Sequence, residues 1–101
     1  MMLEIVQVPG CPGADLLAAR LAEAGHFRIT RRVVTSQADA ERLGLTGSPT
    51  LLVDGADPFA QPGQPPSVSC RLYLDEHGCQ SPAPSPSQIR AALRPLEVRG
   101  W

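Results

Sequence analysis

The chain has 101 residues, 43% apolar and 19% charged, enough for one core without disulfide staples. A net charge of −1 gives no electrostatic reason to bind nucleic acid or an anionic membrane, so neither is expected as a partner. All nine basic residues are Arg, and neither Lys nor Asn occurs, which suggests a GC-rich bacterial genome and says nothing of function.

Met1-Met2-Leu3-Glu4 carries no basic region, and the apolar run after it is too short for a signal peptide or a membrane span. A cytoplasmic location is therefore expected. An odd number of cysteines in a reducing compartment argues against a disulfide framework. Cys11, Cys70 and Cys79 lack paired C-x₂-C spacing, and neither His26 nor His77 lies at helical ligand spacing, so no metal or other cofactor is expected.

In chain order, Leu3, Ile5, Val6 and Val8 form a short β-branched run ending at Pro9-Gly10, the pattern of a buried parallel strand. A helix is predicted over 12–24. Pro12 suits its first position, Asp15 complements the dipole of its first turn, and Leu17, Leu21 and Ala24 form an inward stripe before Gly25. A second strand is predicted over 26–35, its arginines suiting an edge. Ser36-Gln37-Ala38-Asp39 resembles a capping box that opens a short helix through Leu43. Strand, helix and strand in this order imply a parallel pair with a right-handed crossover.

Thr50 to Val53 reads as a third strand with Pro49 at its head. From Gly55 to Ser67 the chain holds four prolines and two glycines, an irregular loop. Val68, Cys70, Leu72 and Leu74 alternate with Ser69, Arg71 and Tyr73, predicting a fourth strand that ends in a turn at 75–78. Ser85-Pro86-Ser87-Gln88 caps a last helix through Leu93, with Pro95 as its stop. The Pro/Ser tracts read as connections within one domain spanning 1–101.

Cys11 stands where the first strand meets the first helix, and a helix N-terminus favours a thiolate there through its free N–H groups and its dipole. An inert, partly buried sulfur is the plain alternative. A 70–79 disulfide is disfavoured, because the turn centres near Glu76-His77 and sets Cys79 at the turn with Cys70 far down the strand. Cys70 alone reads as a buried strand thiol. His77 reads as a solvated turn residue and Asp15 as a dipole partner. Asp54, Asp57 and Glu76 show no paired arrangement for acid–base work.

The order β-α-β-α-β-β-α, with Pro9-Gly10-Cys11-Pro12 at the first strand–helix turn and Leu43 to Val53 leading through Ser48-Pro49, resembles the thioredoxin-like superfamily. The resemblance implies an α/β fold with a four-stranded mixed sheet and helices on both faces. It also implies a cis Pro49, for which an X–Pro bond costs only about 0.5–1 kcal/mol. Cys11 would be the nucleophile, and Ser48, Pro49 and Pro12 would contact the substrate, Ser48 by offering its backbone strand to strand. The family's second cysteine position is Ala14 here, so Cys11 cannot close the short helix disulfide. What remains is thiol–disulfide exchange or thiol-ligand binding with a protein or a low-molecular-weight thiol, with Cys79, better placed, or Cys70 as resolving thiol. Val8 to Pro12, Gly47 to Ala60 and Ser69 to Tyr73 are also similar to small thioredoxin-fold proteins of actinobacteria, some labelled alkylmercury lyase. This implies a mercury or organomercurial reading, which needs two thiols on one soft ion. A non-catalytic binding module is the third reading.

Overall fold

The computed structural model describes residues 2–61 and 63–97. Met1, Pro62 of the proline-rich loop and the last four residues lie outside them. The elements run β1 (Leu3–Gln7), α1 (Pro12–Ala24), β2 (Ile29–Val33), α2 (Gln37–Leu43), β3 (Thr46–Ser48), β4 (Thr50–Val53), β5 (Ser67–Cys70), β6 (Tyr73–Leu74), β7 (Gln80–Ser81) and α3 (Pro86–Glu97).

The main sheet is three-stranded and mixed, in the order β2-β1-β4. β1 and β2 are parallel, with Leu3 opposite Ile29 and Gln7 opposite Val33, and α1 is their crossover. β4 runs antiparallel to β1, with Ile5 opposite Leu51. β2 forms one edge, where Arg32 pairs with Glu4 at 3.1 Å.

Alternation along β1 divides the core. Leu3 and Ile5 join Leu51, Leu17 and Leu21 of α1, and Ile89 and Leu93 of α3, on one face. Val6 joins Val34, Ala40 and Leu45 on the other, beneath α2. Helices therefore cover both faces of the sheet.

The caps are those the local sequence dictates. Ser36 Oγ accepts from Asp39 N at 3.1 Å, and Ser85 exchanges bonds with Gln88 in both directions, 3.1 Å to its hydroxyl and 2.9 Å from its amide. α3 runs past Pro95 to Glu97. The expected stop at Pro95 is therefore a correction: the helix passes it by two residues.

The expected four-stranded sheet is the main correction. The predicted fourth strand breaks at Arg71-Leu72, and neither half joins the main sheet. β5 pairs in parallel with β3, with Thr46 opposite Ser67 and Ser48 opposite Cys70. β6 pairs with β7, with Tyr73 opposite Ser81, through a turn in which Asp75 Oδ1 accepts from His77 N and Cys79 N. The burial phase is also reversed. Arg71 and Tyr73 are buried, whereas Leu72 and Leu74 are 57% and 60% exposed, and Cys70 is exposed instead of buried.

Candidate functional site

Cys11 is the N-cap of α1, with extended backbone, and Pro12 takes the first helical position. Its carbonyl accepts from Ala14 N at 3.2 Å, but its sulfur takes no capping hydrogen bond, so first-turn amides do not hold the sulfur directly. The side chain packs into the core with Ala14, Leu17 and Ala83, and only 6% of the residue is exposed.

Gly13 explains how the rest of the site reaches the sulfur. A Cβ there would lie 2.7 Å from the Pro82 carbonyl oxygen and 3.0 Å from Pro49 Cδ. Only glycine lets two distant segments, the exit of β7 and the head of β4, rest on the first turn of α1. The Ser48–Pro49 peptide bond is cis. Pro49 is fully buried and Ser48 is 2% exposed. Ser48 Oγ accepts from Val8 N at 3.0 Å, and its carbonyl accepts from Arg71 N at 2.9 Å.

Behind Pro49 lies a buried polar assembly that the sequence reading missed. The Tyr73 hydroxyl donates to the Pro49 carbonyl. Its ring lies 4.6 Å from the Arg71 guanidinium carbon and meets Phe59 edge-on at 5.6 Å. Arg71 Nη1 donates to Asp57 at 2.8 Å and to the hydroxyls of Thr46 and Thr50 at 3.2 Å each, while Nη2 donates to the Phe59 carbonyl at 2.8 Å. Gly47, at φ +128°, makes room for Arg71, whose Cβ lies 2.7 Å from where a Cβ would stand.

Burial pushes the Tyr73 phenol far above its usual range. The Arg71 charge opposes this, and Asp57 and Cys11 add to it. Tyr73 is thus a neutral donor, its hydroxyl committed to the Pro49 carbonyl. It also lines a groove of about 490 Å³ with Phe59, Leu72 and Leu74.

Of the expected site residues, Cys11, Ser48 and Pro49 come together around the first turn of α1, with Pro12 exposed beside them. Cys70 and Cys79 are both exposed, and all three cysteines are free. Cys70 lies opposite Ser48 on β5, and Cys79 lies in the β6–β7 turn. The Asp15 carboxylate pairs with Arg31 at 2.7 Å. His77 is a solvated turn residue. A Ser85 hydroxyl bond lowers the Glu76 carboxyl below its ordinary range. No cluster of three His, Cys, Asp or Glu that could hold a metal occurs among the described residues.

The chain matches no protein-family model, no curated protein and no solved structure. No helix among the described residues is long and apolar enough to cross a membrane.

Proposed function

We propose that this is a thioredoxin-like protein with one working thiol, acting in thiol–disulfide exchange or thiol-ligand binding. The observation that carries the reading is the convergence of Pro49 and Pro82 on Gly13, two residues from a cysteine at the N-cap position of α1. The parallel β1–β2 pair with α1 as crossover, the antiparallel β4 and the helices on both faces support the same reading.

In the exchange step, the Cys11 thiolate attacks one sulfur of an incoming disulfide. The Cys11–sulfur bond forms as the disulfide bond breaks, and the departing sulfur leaves as a thiolate that takes a proton from water. The disulfide is the oxidant, and one mixed disulfide replaces it. Ala14 leaves Cys11 with no adjacent thiol, so release needs a second thiol from Cys79, Cys70 or solution.

The test is a Cys70→Ser/Cys79→Ser variant incubated natively with glutathione disulfide and read by intact mass. One adduct at Cys11, reversed by reductant, is expected. An adduct that forms only after denaturation contradicts the reading.

A further inference from the structure

An extended polypeptide that binds beside a reactive residue does so by pairing with an open strand edge, exchanging main-chain hydrogen bonds. Around Cys11 five of those groups are already committed. Val8 N donates to Ser48 Oγ at 3.0 Å, and the Gln7 carbonyl accepts from Val34 N at 2.7 Å. The Ser48 carbonyl accepts from Arg71 N at 2.9 Å, the Cys11 carbonyl from Ala14 N at 3.2 Å, and the Pro49 carbonyl from the Tyr73 hydroxyl. The strand that would otherwise be open, β3, carries β5 in parallel, with Cys70 opposite Ser48.

β5 is no loosely laid strand. It continues directly into Arg71, whose side chain is 6% exposed and paired with Asp57, so displacing it strips a buried charge of its partner. The exposed rim near the sulfur is Pro9, Gly10 and Pro12, and the two prolines have no N–H to offer. Cys11 itself is only 6% exposed, which disfavours a bulky approach, and of the three rim residues Gly10 alone keeps an N–H.

We infer that the Cys11 site takes a small, low-molecular-weight disulfide or thiol and excludes extended polypeptide, because β5 fills the strand edge beside it. This rests on the thiol-exchange reading and narrows its substrate class. It also replaces the expectation that Ser48 offers its backbone to a bound peptide, since the chain's own Arg71 holds that carbonyl.

The experiment uses the Cys70→Ser/Cys79→Ser variant and two probes, each scored only by the adduct whose formation releases 2-mercaptoethanol. One is bis(2-hydroxyethyl) disulfide. The other is an unstructured peptide whose single cysteine carries a 2-hydroxyethyl disulfide. Rate constants for Cys11 are measured on native and on urea-unfolded protein, and each native rate is divided by its unfolded rate. The normalised rate for the small disulfide is expected to exceed that for the peptide at least tenfold. Equal normalised rates, or a faster peptide, overturn the inference while leaving thiol exchange intact. A native protein that reacts with neither probe, although its unfolded chain reacts with both, overturns the exchange reading and this inference with it.

Discussion

Tyr73 shows how one side chain joins the two halves of the site. Its ring is held by Arg71 and Phe59, and its one proton goes to the carbonyl of the proline that rests on Gly13. Because burial raises its folded pKa above the unfolded value near 10, its contribution to stability is full below pH about 10 and is lost as pH rises beyond it. Tyr73 is the only tyrosine in the chain, so tyrosinate absorbance reports on it alone. In an alkaline titration, no tyrosinate is expected until the fold itself is lost, with absorbance and circular dichroism changing together. Ionisation near pH 10 in a protein that stays folded would contradict the buried, donating phenol.

At the level of elements, the proline-rich loop is tied into the fold by Asp57 and Phe59, whose partners are Arg71 and Tyr73 beyond β5. Asp57→Ala, which leaves Arg71 buried without its partner, is expected to cost about 3–5 kcal/mol in chemical denaturation. Asp57→Leu combined with Arg71→Met is expected to cost clearly less, since no buried charge is then orphaned. A double variant as unstable as the single one would show that the pair is not acting as a pair. The sequence revealed little of this. Pro12 at the head of α1, Ser36 and Ser85 as caps, and the apolar run of β1 are local signals, and each element appears where they place it. Residues 68–74 carry apolar side chains in one phase and Tyr73 in the other, so alternation alone does not choose the buried face, and a one-residue slip exchanges the two. What decides the phase is Asp57, in a loop without periodicity, together with the space above Gly47.

Across the whole molecule, a small mixed sheet between two helical layers brings three remote segments to one helix end: the β1–α1 turn, the Ser48-Pro49 segment and the exit of β7 at Pro82. Cys11 and Pro49 were legible as a pair because both sit in recognisable motifs. Pro82, Tyr73 and the β3–β5 pairing were not, because they arise only when distant strands meet. The outcome is a buried thiol at Cys11, while Cys70 and Cys79 stand exposed. Under the proposed reading, the least exposed of the three cysteines is the working one. The most direct test treats the unaltered native protein with a limiting amount of bis(2-hydroxyethyl) disulfide and follows each cysteine's adduct over time by peptide mass spectrometry. The account predicts that Cys11 is modified first, ahead of both exposed cysteines. Modification of Cys70 and Cys79 before Cys11 would contradict it and mark Cys11 as a core residue that happens to be a cysteine.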